Sequence, residues 1–187
     1  MTESSKLLTD TINTPHQSII KDVKYPCTGF CYMVAQNQQD IKKLYRQKNK
    51  KGYYDLILKL ITASAKRKKE NKDINYDGEY INQDTVKKDF DAIYNKMEFM
   101  EMGCPDEESF NISINNLFFL LVEMSYNGFM MITRSKETFI ILKLDNENFL
   151  VVDSHQTVHG SCNFEGVTKY IFKDGKYKDL IQIGLCK

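Results

Sequence analysis

The sequence predicts an α+β domain in which N-terminal helices pack on a C-terminal antiparallel sheet. Two observations carry this. Up to about residue 126, apolar residues recur at three and four positions, the spacing of helices with one buried face. From Phe129 onward they fall in short β-rich runs separated by polar turns. A length of 187 residues fits one domain, and 11 Phe and 11 Tyr supply the bulk of a core.

Residues 1–24 are polar, lack clear periodicity and are punctuated by Pro15, with Pro26 just beyond. They read as an N-terminal arm, ordered only where it packs on a body spanning 25–187. After Pro26 the chain turns apolar, and Phe30, Met33 and Val34 have the spacing of a buried helix. Tyr53 to Lys69 reads as an amphipathic helix in which Leu56, Ile57, Leu60, Ile61 and Ser64 recur at three and four. It ends in Lys66-Arg67-Lys68-Lys69, cations that complement the negative end of a helix. This run is expected to be a solvated helix end.

A polar connector with an Asp77-Gly78 turn follows, then a predicted helix over Asp84–Met100. Cys104-Pro105-Asp106 breaks the pattern, and Ser113–Tyr126 reads as a helix closed by Asn127-Gly128. Phe129–Thr133, Thr138–Leu144 and Phe149–Asp153 read as an antiparallel meander. Two more strands are expected near Thr168–Phe172 and Leu180–Ile183, with an Asp174-Gly175 turn between them.

Lys plus Arg number 26 and Asp plus Glu 25, so the net charge of +1 gives no broad field for nucleic acid or an anionic membrane. The longest dense apolar run, Leu117–Val122, is too short to span a bilayer. Met1–Asp10 carries no apolar signal-peptide core. The cysteines Cys27, Cys31, Cys104, Cys162 and Cys186 are odd in number and form no Cys-x-x-Cys. That argues against a disulfide framework or zinc ribbon and suits free thiols in a reducing, cytoplasmic compartment.

Three residues carry the chemistry. Asp153-Ser154-His155 follows the apolar run Phe149–Val152. If the strand persists, Asp153 and His155 share a face, where a carboxylate fixes the imidazole's tautomer and supports its charged form. Cys27 opens a predicted buried helix, where the positive end of the helix dipole favours a thiolate. Cys31 lies one turn deeper and reads as a small core residue. Nucleophile, general base and orienting acid are the three roles of a cysteine hydrolase. A thiol at a helix N-terminus facing a late sheet is, by analogy of fold, the papain-like cysteine peptidase arrangement.

The stretch from Asn127-Gly128-Phe129-Met130-Met131-Ile132, through Thr138-Phe139-Ile140-Ile141, to Phe149-Leu150-Val151-Val152-Asp153-Ser154-His155 and then Gly160 and Gly166 resembles a known family. It is similar to the deubiquitinase domain of herpesvirus large tegument proteins and the wider viral-tegument-like deubiquitinases. The resemblance covers roughly 60 residues. It implies a Cys well over a hundred residues before Asp-x-His, and Cys27 lies 126 positions before Asp153. In the family a polar residue, often Gln, commonly precedes the Cys; here it is Pro26, which leaves Cys27 or Cys31 as the nucleophile, with Cys27 preferred.

The resemblance further implies an upstream Gln in the oxyanion hole, and Gln17 is the one Gln before Cys27. It implies thiol-dependent hydrolysis of peptide or isopeptide bonds at the C-terminal Gly of ubiquitin, with no cofactor. The expected partners are ubiquitin or ubiquitin chains, not nucleic acid or membrane. The expected setting is a monomer in a cytosol, including the host cytosol of a virus or intracellular bacterium. The charged segment Tyr53–Met100 would face the body of ubiquitin. Two other readings stay open: another Cys-His enzyme of acyltransferase or transglutaminase-like type, and a non-catalytic protein-binding module. His159 is expected in a loop, solvated or lining the site, and His16 in no catalytic role.

Overall fold

A computed structural model describes residues 5–21, 26–70, 90–134, 137–172 and 180–187. In chain order these form β1 (Thr9–Asn13), α1 (Cys27–Gln36), α2 (Gln38–Arg46), α3 (Lys50–Glu70), the single turn α4 (Asp91–Tyr94) and β2 (Glu98–Met102). Then come α5 (Glu107–Glu123), β3 (Phe129–Arg134), β4 (Glu137–Lys143), β5 (Phe149–Val152), β6 (Val158–Cys162), α6 (Phe164–Ile171) and β7 (Ile181–Cys186). Seven strands make one antiparallel sheet in the order β1-β6-β5-β4-β3-β7-β2.

The sheet is covered on both faces. Met131, Ile140, Leu142, Leu150 and Val152 pack with the inner sides of α1, α2 and α3. Met130, Ile132, Ile141, Val151 and Ile183 pack with Leu117 and Leu121 of α5 and Val167 and Tyr170 of α6. Side chains alternate along a strand, so a sheet covered twice needs nearly continuous apolar strands, which is why β4 and β5 read Phe-Ile-Ile-Leu and Phe-Leu-Val-Val. Each fully buried Ile, Leu or Phe contributes about 1.5–3 kcal/mol relative to exposure.

Three buried cations close helix ends rather than meet acids. Lys143 Nζ donates to the Met124 carbonyl (2.7 Å) and Lys42 Nζ to that of Tyr126 (2.6 Å), just past α5. Arg134 Nη1 donates to the Ile171 carbonyl (2.7 Å), the last of α6. The Met124 and Ile171 carbonyls stand at helix ends, where no partner within the helix remains, and the Tyr126 carbonyl lies in the turn that follows.

Several expectations need correction. Residues 5–21, read within an arm, supply the edge strand β1, which pairs with β6. Gly160 permits this, because a Cβ there would lie 2.7 Å from the Thr9 carbonyl. Beyond Met97, the predicted helix over Asp84–Met100 is strand β2 paired with β7; its first residues, the Asp77-Gly78 connector and the Asp174-Gly175 turn lie outside the described residues.

The strand expected at Thr168–Phe172 is helical: Asn163 caps α6 by accepting the Gly166 amide (3.0 Å), and Val167, Tyr170 and Ile171 recur at helical spacing. α5 starts six residues before Ser113, because Asp106 is its N-cap and accepts the Ser109 amide (2.8 Å). The Lys66–Lys69 run is not uniformly solvated: Lys68 is buried, and the Arg67 guanidinium lies over the Phe90 ring.

Candidate active site

α1 begins at Cys27, directly after Pro26 at the cap position. The Pro26 carbonyl accepts the Phe30 amide (3.0 Å), the first bond of the helix, and the Ser64 hydroxyl of α3 (2.6 Å). Cys27 therefore stands where the unpaired amides of a ten-residue helix concentrate positive potential. α1 lies along β4: Cys31 Sγ donates to the Thr138 carbonyl (3.6 Å), and the Thr28 and Thr138 hydroxyls are 3.3 Å apart.

β5 stops at Val152, and Asp153, Ser154 and His155 form a turn rather than a continued strand. The acid and imidazole still meet, by a different route from strand alternation. Asp153 Oδ1 accepts both the His155 amide (3.0 Å) and His155 Nδ1–H (2.7 Å). The first bond is that of an Asx turn, which folds the following residue back over the carboxylate. Asp153 Oδ2 accepts the Tyr170 hydroxyl (2.6 Å) from α6. Burial alone would raise the Asp153 pKa, but the bonds from His155 and Tyr170 hold it down at about 2.

Nδ1–H is committed to Asp153, so Nε2 is the atom His155 offers for chemistry. Nε2 is buried with no nitrogen or oxygen partner. The Cys27 thiol acts on this imidazole by hydrogen bond and by charge. Burial opposes a charged His155, yet the hydrogen bond and charge of Asp153 and the Cys27 interaction outweigh it and raise its pKa to about 10. A proton leaving Sγ thus has a base ready to keep it.

Cys31 has no such base. It is wholly buried, and burial, then the neighbouring Cys27 and Asp153, push its thiol well above the ordinary range. Of the two cysteines left open by the sequence, only Cys27 interacts with the imidazole. Both are almost inaccessible, Cys27 at 1% and Cys31 at 0% exposure. The five cysteines form no disulfide.

Gln17 belongs to the same neighbourhood. Its backbone N–H donates to the Ser154 carbonyl (2.8 Å), and the Ser154 hydroxyl donates to its side-chain Oε1 (2.9 Å). With Oε1 engaged, the side chain's NH2 is the end left for a ligand. Thr14 extends the stitching, its amide donating to the Thr157 carbonyl (2.9 Å).

His159, expected in a loop, is a core residue of β6 with 0% exposure. Nε2 lies 2.9 Å from the Asp153 carbonyl oxygen and 3.2 Å from its amide nitrogen, and Nδ1 lies 2.8 Å from the Tyr53 hydroxyl. Burial lowers its pKa to about 4, so it is neutral at pH 7. His16 caps a short 3-10 turn, its Nδ1 accepting the Ser18 amide (2.9 Å).

Sequence reasoning missed Tyr170, Tyr53 and Ser154. Tyr170 sat in a predicted strand, and Tyr53 read only as the first residue of a predicted helix. The visible signal for Ser154 was its place between Asp153 and His155.

Among the described residues, no group of three or more His, Cys, Asp and Glu side chains is placed to hold a metal ion, and no helix is long and apolar enough to cross a membrane. No protein-family model matches the chain, and no curated protein matches it.

Proposed function

We propose that this protein is a papain-like cysteine peptidase that cleaves peptide or isopeptide bonds at the C-terminal Gly of ubiquitin or a ubiquitin-like modifier. One observation carries the hydrolase part: Cys27, at the first position of α1, faces an imidazole whose other nitrogen is fixed by a buried carboxylate. The resemblance around Asp153-Ser154-His155 supports ubiquitin as the substrate, and so does the near-complete burial of the thiol, which suits a thin Gly-Gly tail.

In this reading His155 Nε2 already holds the Cys27 proton at neutral pH, and Cys27 Sγ attacks the Gly carbonyl beside the charged imidazole. The Gln17 amide donates to the developing oxyanion, held in place by Ser154. His155 then protonates the leaving lysine amine, and a water activated by the same imidazole hydrolyses the thioester. Asp153 keeps the imidazole in one tautomer throughout.

The test is a ubiquitin carrying a fluorogenic C-terminal amide, together with a ubiquitin probe bearing a C-terminal electrophile. Cys27→Ala should abolish turnover and His155→Ala should reduce it by about 10³ or more, with Asp153→Ala losing less because it orients rather than transfers protons. Peptide mapping should place the probe on Cys27 alone. A fully active His155→Ala protein, or an adduct on no cysteine across several ubiquitin-like probes, overturns the proposal.

A further inference from the structure

We infer that Tyr170 is a positioning residue for this chemistry: its hydroxyl aims the Asp153 carboxylate, and through it the His155 ring, at Cys27. The inference rests on the triad reading above, and the geometry supplies the rest. Asp153 is held from both faces of the sheet. From α6, the Tyr170 hydroxyl takes Oδ2 at 2.6 Å, leaving Oδ1 alone to hold the imidazole. From the α3 side, Tyr53 anchors His159, and His159 anchors the Asp153 main chain. A carboxylate on one χ2 axis can otherwise swing between His155 and any other donor.

Tyr170 is itself fixed independently. Its ring packs edge-on against Phe139 (centroids 5.1 Å), and Arg134 holds the end of α6 through the Ile171 carbonyl. The ring's place therefore does not depend on the hydroxyl, so Tyr170→Phe removes the bond and keeps the packing. The groups that bear on the outcome are few. Asp153 is faced by His155 on its own turn, Tyr170 from α6, His159 from β6 and Cys31 from α1, while Tyr170 also faces Glu137 and Arg134.

The experiment is the pH profile of Cys27 alkylation by iodoacetamide, which needs no protein substrate. In Tyr170→Phe the rate at about pH 6 should fall about tenfold, because a loosened imidazole no longer holds the thiol proton, with little change near pH 9.5, where a thiol ionises unaided. With a ubiquitin amide, kcat should fall about tenfold at unchanged KM. 4-Aminophenylalanine at position 170, similar in size and still a donor, should restore the wild-type profile. This variant also keeps the test open should Tyr170→Phe not fold. A profile superimposable on wild type for Tyr170→Phe, whatever its melting temperature, overturns the proposal, and so does 4-aminophenylalanine behaving as badly as Phe. A wild-type protein inert to every ubiquitin substrate would remove the functional reading and leave the alkylation test standing.

Discussion

Acidification should destabilise this protein through one residue, and the window in which it does so is narrow enough to isolate. His159 is buried, neutral and bonded to Tyr53 and the Asp153 main chain, with its pKa lowered from 6.5 to about 4 by burial. Between those values the unfolded chain binds a proton at this site and the native one does not, so stability falls as pH falls. The contribution is complete above about pH 6.5 and is lost as pH drops toward 4. Its size follows from the displacement: roughly 2–3 kcal/mol by pH 4.5.

The other shifted groups of the site do not interfere. The raised His155 contributes stability that is complete below 6.5 and lost only as pH rises toward 10. Asp153, held at about 2, contributes stability lost only below 3.8. Urea unfolding followed by circular dichroism at pH 6.5 and pH 4.5 should show the midpoint falling by about 1 M at constant slope. His159→Gln keeps one donor and one acceptor but cannot titrate, so its midpoint should lose that dependence. An unchanged wild-type midpoint, or a shift that survives in His159→Gln, refutes the reasoning.

Three further outcomes follow from the geometry. Cys31→Ala, which leaves Cys27 and His155 in place, should lower stability by about 1 kcal/mol in thermal melts and leave the electrophilic ubiquitin adduct on Cys27. An adduct lost with Cys31 would contradict the assignment. Gln17→Ala should lower kcat by about 10²-fold with little change in KM, and Ser154→Ala by a smaller factor in the same direction. A change confined to KM would make Gln17 a binding residue instead. Replacing the exposed Lys66 with Gln should shift stability by less than about 0.5 kcal/mol, since its ion pair with Glu70 at 3.9 Å is exposed. A large loss of ubiquitin cleavage in that folded variant would place the patch on the substrate surface.

What could be read from the sequence was whatever local spacing encodes. The helices at Cys27 and Tyr53 and the strands at Phe129, Thr138 and Phe149 follow from three-and-four or dense apolar patterns, and all are present. Asp153 and His155 were legible as a pair, though the Asx turn that joins them differs from the strand face expected. Elements fixed by distant partners were not legible. β1 has one buried residue, Ile12, and exists because β6 lies beside it. β2 likewise follows from pairing with β7, which overrides a spacing that fits a helix. At Thr168–Phe172 the β-rich composition misled, and the Asn163 cap was the local signal that outweighed it. Tyr170 reaches Asp153 across 17 positions of chain and Tyr53 reaches His159 across 106, distances over which no periodic pattern in sequence carries information.

The pairing of the first strand with the sixth also dictates when the proposed site can assemble. Thr9 lies opposite Ser161, and Gln17 meets Ser154. During synthesis the residues of β6, about 150 positions after Thr9, must be released before β1 has an edge to join. Cys27 emerges long before His155, which lies 128 positions later. In the proposed reading the site assembles only when β6 is in place, by a closure whose long loops make it slow relative to local helix formation.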